Sequence, residues 1–168
     1  MKYSDYKQTG MRKILLLAFA MLFLPMVNGV KSMMATAQTA QWITAGDTTV
    51  NDVNTWLMFR KDIKVKKVPE RVVARVAVDS KYWLWINGQM VVFEGGLKRG
   101  PNPKDTYCDE VDLKPYLKKD KNQVAVLVWY FGKHGYSQKS RGQSGLFFEA
   151  PAIGLQSDRT WLSMKHPA

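Results

Sequence analysis

The sequence contains little of what most catalytic and metal-binding sites are built from. Its 168 residues include one cysteine, Cys108, and two histidines, His134 and His166. A single cysteine excludes an intramolecular disulfide, so the fold must rest on packing. No H-x-x-H, C-x-x-C or Asp-rich spacing is present, and no glycine-rich loop precedes a helix. We therefore expect no metal site, no cofactor and no Ser-His-Asp assembly.

Long apolar runs are also scarce, and the clearest one lies near the N-terminus. Residues 14–24 form an unbroken apolar stretch of eleven residues after Arg12 and Lys13. That stretch is too short to span a bilayer, which takes about 20 residues. It is typical of a secretory signal, for which Met11 is a better start than Met1. The segments 27–29 and 35–37 offer cleavage sites. Because cleavage there would remove the apolar stretch, we expect no stable membrane span.

The expected domain organisation follows from this leader. Residues 1–37 are predicted to be a signal peptide and leader, and residues 38–168 a single domain of an exported protein, periplasmic or secreted. Acidic residues are few: 14 Asp and Glu stand against 25 Lys and Arg, a net charge of +11. Without residues 1–37 the charge is +7. This excess suits an anionic partner, but the basic residues are scattered, which favours a solvated surface, and export argues against nucleic acid.

Helical periodicity is weak after the leader, and apolar residues recur with a period of two. This alternation predicts half-buried strands. The predicted strands are residues 56–65, 71–79, 82–86, 89–93, 122–131, 145–149 and a last one beginning at 160–164. A short helical turn is expected over residues 111–117, with Asp112 as its N-cap. Many short strands separated by turn residues indicate an all-β, antiparallel β-sandwich.

The strongest local signal is Asn87-Gly88 between two apolar runs. This dipeptide predicts a two-residue type I′ hairpin, because both central residues need positive φ. Pairing outward from the turn places Ile86 opposite Gln89, Leu84 opposite Val91, and Tyr82 opposite Phe93. The second face of the hairpin then carries Trp83, Trp85, Met90 and Val92.

Three predicted strands are apolar on both faces, namely the two strands of the hairpin and the strand of residues 122–131. In the latter, Val124, Val126, Val128 and Tyr130 face one way, and Ala125, Leu127, Trp129 and Phe131 face the other. A sandwich buries only one face of each sheet. We therefore expect an apolar outer surface that a crossing strand, a ligand or a neighbouring domain covers.

Five segments, taken in order, resemble a known family. They are residues 79–88, 99–117, 122–132, 145–150 and 157–161. Together they are similar to the galactose-binding-like jelly roll at the N-terminus of bacterial α-L-rhamnosidases, over roughly residues 41–165. Cys108 departs from the pattern, which has an aromatic residue there. The resemblance implies that the catalytic carboxylates lie in an (α/α) barrel beyond this chain, which would be truncated before it.

The resemblance and the aromatic residues near loops suggest surface sites rather than catalytic ones. The carbohydrate-binding or interdomain candidates are Trp83, Trp85, Lys98, Arg99, Trp129, Tyr130, His134 and Tyr136. Asp109, Glu110 and Asp112 form an acidic cluster, but capping of a turn explains it as well as glycoside cleavage does. We expect a non-catalytic accessory module of a glycoside hydrolase. The alternatives are an autonomous carbohydrate-binding module and the N-terminal domain of a β-galactosidase-type enzyme.

Overall fold

The computed structural model describes residues 40–46, 52–97, 107–135, 139–140 and 142–167. These residues belong to one compact unit, Thr39–Ala168. The predicted leader, residues 1–37, lies outside the described residues. The strands are β1 (Thr55–Val65), β2 (Val73–Asp79), β3 (Lys81–Ile86), β4 (Gln89–Gly96), β5 (Asp109–Asp112), β6 (Asp120–Tyr130), β7 (Gly145–Ala150), β8 (Leu155–Gln156) and β9 (Leu162–Lys165).

The strands form two antiparallel sheets, which confirms the predicted sandwich class. The larger sheet has the order β4-β3-β6-β1-β9 and the smaller one β5-β2-β7-β8. The longest ladder joins β1 to β6, from Thr55 opposite Tyr130 to Val65 opposite Asp120. The centre of the larger sheet is therefore made of two long strands that lie far apart in the chain.

The core lies between the inner faces of the two sheets, as the alternation predicts. Most of its members are apolar residues of β1, β2, β3, β6 and β7, and Val72 directly before β2 also belongs to it. The strand members include Leu57, Phe59, Ala74, Val76, Leu84, Val126, Val128, Leu146 and Phe148. The ring of Phe148 lies 5.5 Å from that of Trp161. Packing of this kind stabilises the fold without a disulfide.

The turn of the Asn87-Gly88 hairpin forms as predicted, but the pairing of its strands differs from the prediction further from the turn. Asn87 and Gly88 have φ of 53° and 80°, and Ile86 pairs with Gln89. However, Leu84 pairs with Val92 and Tyr82 with Gly95, because the ladder is irregular on both sides of Leu84. The predicted pairs Leu84–Val91 and Tyr82–Phe93 are therefore wrong.

The shift in register also corrects the predicted outer face of β4. Met90 pairs with Trp85, but Val92 pairs with Leu84, so β4 has one extra residue between these two pairs. Val92 packs against the core instead of lying on the outer face. Phe93 turns outward, where its ring meets that of Trp83 edge-on at 6.3 Å between centroids.

Replacing Gly88 by valine is expected to lower the free energy of unfolding by about 1 kcal/mol or more, since a β-branched residue is strained at positive φ. Urea denaturation would measure the change. Gln89→Val is the matched control, because Gln89 lies in the extended strand that follows and valine suits a strand. Equal stability of Gly88→Val and the parent would contradict the turn.

The predicted helical turn over residues 111–117 is only partly correct. Asp109–Asp112 is a strand paired with β2, and a single 3₁₀ turn follows at Lys114–Tyr116. The Asp112 carboxylate accepts a hydrogen bond from the Lys114 N–H at 3.0 Å, although Leu113 is the N-cap residue. Pairing with β2 outweighs the local preference of this segment for a helical turn.

Candidate functional site

The outer face of the five-stranded sheet carries the residues that could act on a partner. On β1, β3 and β6, every second residue points away from the core. One row across the sheet is wholly apolar and consists of Trp83, Leu127, Met58 and Met164. Met90, Phe93, Leu162 and Met164 are exposed. The prediction of an apolar outer surface is therefore confirmed.

Aromatic rings gather at one end of this face. Trp56 stacks on Trp129 with 4.8 Å between centroids and an angle of 9°, and lies 5.4 Å from Trp83. Phe131 meets Trp129 edge-on at 4.6 Å. The indole N–H of Trp129 donates to Asn54 Oδ1 at 2.8 Å. The three tryptophans are half-buried, so they support one another while part of each ring faces outward.

A trough crosses the middle of the face beside this cluster. Its floor is Ala125, which lies between Trp85 on β3 and Arg60 on β1. Strands neighbouring the same strand are separated by two interstrand spacings, about 10 Å, and the alanine methyl leaves that space unfilled. The groove over the trough has a volume of about 680 Å³ and extends over Met58, Leu127, Leu162 and Met164.

The face becomes polar and basic beyond the trough. Asp62 accepts hydrogen bonds from Arg60 Nη2 at 3.0 Å and from Gln123 Nε2 at 3.2 Å. These bonds hold the pKa of Asp62 below its ordinary value. Next to them, Lys64 lies directly opposite Lys121. A recess of about 510 Å³, here called the basic recess, is lined by Arg60, Asp62, Lys64, Lys118, Lys121 and Gln123, together with Ile63, Asn87 and Asn122.

The structure brings only some of the predicted site residues together. Trp83, Trp85 and Trp129 share the outer face. Tyr130 instead points inward and is 1% exposed; burial raises its pKa, and it offers no surface to a sugar. His134 is exposed on the following loop. Lys98, Arg99 and Tyr136 lie outside the described residues.

His134 takes part in a polar cluster at the end of β2. The buried Asp79 accepts hydrogen bonds at 2.7 Å from the hydroxyls of Ser80 and Ser140. His134 Nδ1 accepts the backbone N–H of Ser140 at 3.2 Å. A nucleophilic serine needs a base on its hydroxyl, whereas here the imidazole contacts the main chain and Ser140 is 3% exposed. The cluster therefore fixes a loop rather than forming a triad.

Two members of the acidic cluster, Asp109 and Asp112, also make structural hydrogen bonds. Asp109 Oδ2 accepts the N–H of Gly96 at 2.9 Å, and Asp112 accepts that of Lys114. Alternation along β5 places Glu110 and Asp112 on the face opposite Asp109. Glu94 and Glu149 pair with Lys81 and Arg75. No three His, Cys, Asp or Glu side chains of the described residues lie close enough together to hold a metal ion.

This sandwich is similar in structure to segments of much longer enzymes. The GH78 family rhamnosidase of Bacillus sp. GL1 matches 75% of this chain with a TM-score of 0.65 and 29% identity. The resemblance to α-L-rhamnosidases is confirmed. The native enzyme of Aspergillus terreus matches 78% with a TM-score of 0.56 and 21% identity. No protein-family model and no curated protein matches.

The match is confined to a small part of each rhamnosidase. It covers 13% of the Bacillus chain, 12% of the Streptomyces avermitilis chain and 17% of the Aspergillus chain. A lectin of Pleurotus ostreatus in complex with GalNAc matches 75% of this chain with a TM-score of 0.50 and 14% identity, a likeness of fold alone. Within the described part of this chain, no helix has the length and apolar character needed to cross a membrane.

Proposed function

We propose that this sandwich is a non-catalytic accessory module of a rhamnosidase-like glycoside hydrolase. The observation that carries the proposal is the match of three quarters of the chain to a segment of the Bacillus rhamnosidase at 29% identity. The contacts of Asp109, Asp112, Asp79, Ser140 and His134 support it, since each of these groups is engaged in a structural hydrogen bond.

The apolar outer face supplies the docking surface that such a module needs. The row of Trp83, Leu127, Met58 and Met164 is contiguous with the stacked Trp56 and Trp129. Apolar patches of this kind mark interaction surfaces, and aromatic residues are enriched in the centres of interfaces. The proposed occupant of this part of the face is the remainder of the enzyme.

The full chain is expected not to hydrolyse an aryl α-L-rhamnoside. Release of the aryl group would be followed spectroscopically, with an active rhamnosidase as the positive control. Turnover that survives further purification and disappears in Asp109→Asn or Glu110→Gln would overturn the proposal.

Binding of sugars by the sandwich itself is the second candidate function. The trough beside Trp85 favours it, because an aromatic ring next to polar groups suits the mixed apolar and hydroxyl surface of a sugar. Titration of the chain with oligosaccharides tests this second function: saturable binding would add sugar binding to the accessory role, and the absence of binding would leave docking alone.

Export is part of the same proposal, since a glycoside hydrolase of this kind meets polysaccharide outside the cytoplasm. The leader should be cleaved, and mass spectrometry of the exported product should show a new N-terminus between about residues 30 and 41. A full-length product retained in the cytoplasm would contradict export.

A further inference from the structure

The basic recess contains like charges that the fold itself does not neutralise. Lys64 and Lys121 lie directly opposite each other on the outer face, and Lys118 lines the same recess. Like charges opposite each other on neighbouring strands destabilise a sheet. Among the described residues, no carboxylate forms an ion pair with these three lysines, because the one acid of the recess, Asp62, is bonded to Arg60 and Gln123.

The trough and the basic recess are continuous through Arg60, which lines both of them. Arg60 and Lys64 are four residues apart on one strand, a distance of about 13 Å. Along that distance the surface changes from the Trp85 ring and the Ala125 methyl to Gln123 and Asp62, and then to the lysine pair. An extended ligand lying along β1 and β6 would meet these chemistries in that order.

We propose that the trough and the basic recess together bind an acidic polysaccharide, one whose sugar rings carry carboxylate groups. A pyranose ring presents an apolar face that fits over Trp85, and its hydroxyls match the Asp62 and Gln123 groups. A carboxylate on a following sugar would attract both Lys64 and Lys121, and its negative charge would offset part of their mutual repulsion. The inference rests on the second candidate function, sugar binding by the sandwich itself, and it specifies the chemical class of the sugar.

Polygalacturonate is the probe, and its carboxyl-reduced form is the neutral control. Affinity electrophoresis or titration calorimetry with the full chain should show binding of polygalacturonate at low salt that weakens as salt is added. Lys64→Gln combined with Lys121→Gln should weaken binding about fivefold or more, the loss expected from two exposed ion pairs. Lys66→Gln combined with Lys67→Gln removes the same charge from exposed positions outside the recess and should change binding less than twofold.

Trp85→Ala tests the aromatic part of the site, and we expect about tenfold weaker binding from the lost apolar contact. The thermal unfolding of each variant shows that the loss is not one of fold. The double lysine variant should be at least as stable as the parent, because it removes a repulsion.

Three outcomes would overturn the inference. One is binding of the carboxyl-reduced polymer as tight as that of polygalacturonate. This result would show that the site binds sugar without requiring the carboxylates. Another is a sign of general charge attraction. It would take the form of a loss of binding in the Lys66/Lys67 control as large as in the Lys64/Lys121 variant, or of binding to single-stranded DNA as tight as to polygalacturonate. The third is the absence of any polysaccharide binding, which would leave the accessory role standing, since the rhamnoside assay and the structural match do not depend on this site.

Discussion

Replacing Asn122 by leucine is expected to lower the free energy of unfolding by about 3 kcal/mol, since four partly buried hydrogen bonds are lost. Asn122 is buried, and its amide group joins three segments. Its Oδ1 accepts the Lys118 N–H at 2.8 Å and the Asn87 Nδ2–H at 2.9 Å. Its Nδ2 donates to the carbonyls of Lys118 and Asp120. Leucine has a similar size but satisfies none of these four bonds.

Gln123→Leu is the control for this experiment, because it removes the neighbouring amide from the other face of the same strand. The side-chain amide of Gln123 donates an exposed hydrogen bond to Asp62, and the expected loss is below about 1 kcal/mol. Denaturant unfolding followed by circular dichroism would compare the two variants. Similar losses would show that the buried network is not the source of the stability.

The Asn122 network also positions part of the proposed ligand site. Lys118 is fixed through both its backbone N–H and its carbonyl, which holds the residue at the basic recess. Asn87 shares the network and donates to the Tyr116 carbonyl at 2.9 Å. The hairpin turn, the 3₁₀ turn and β6 are thereby joined at the end of the sheet where the lysines lie.

Phe148→Ala is expected to lower the free energy of unfolding by about 3–5 kcal/mol, the usual loss when a buried ring leaves a cavity. Phe148 has 0% exposure and packs in the core against Trp161. Its backbone N–H also bonds to Ser157 Oγ at 3.0 Å, so the surrounding chain is held in place and cannot collapse into the space.

Phe93→Ala provides the contrast from the outer face. Phe93 is 70% exposed, and its loss should cost less than about 1 kcal/mol, because the alanine leaves no enclosed cavity. Urea midpoints of the two variants give the comparison directly. A cost for Phe93→Ala as large as that for Phe148→Ala would mean that the outer face belongs to the core, and would remove it as a docking surface.

The candidate site shows which of its residues can be identified from the pattern along a single strand. Trp83, Trp85 and Trp129 were identified because each lies on a strand whose two faces are both apolar. Trp56 and Met58 were missed, although the alternation of β1 places them on the same face as Arg60. The stacking of Trp56 on Trp129 depends on the pairing of β1 with β6, and nothing in either segment specifies that partner.

The error in β4 has a different origin. Pairing outward from the Asn-Gly turn assumes a regular ladder, and the first pair beyond the turn follows it. At the next step Met90 pairs with Trp85 but Val92 pairs with Leu84, and this irregularity exchanges the inward and outward positions. A one-residue shift reverses the face of each side chain that follows, which is why Phe93 lies outside and Val92 inside.

The sequence by itself determined the all-β class, the alternation that divides each strand into two faces, the hairpin turn, and the resemblance to a rhamnosidase region. These features depend on neighbours within a few residues, where steric and solvation preferences act directly. Only the tertiary structure decided which strands are adjacent, and so which outward side chains meet. Lys64 and Lys121 look like ordinary solvated residues in the sequence. They become a site because two distant strands pair in one register, and the many interstrand hydrogen bonds and buried contacts that select that register are non-local.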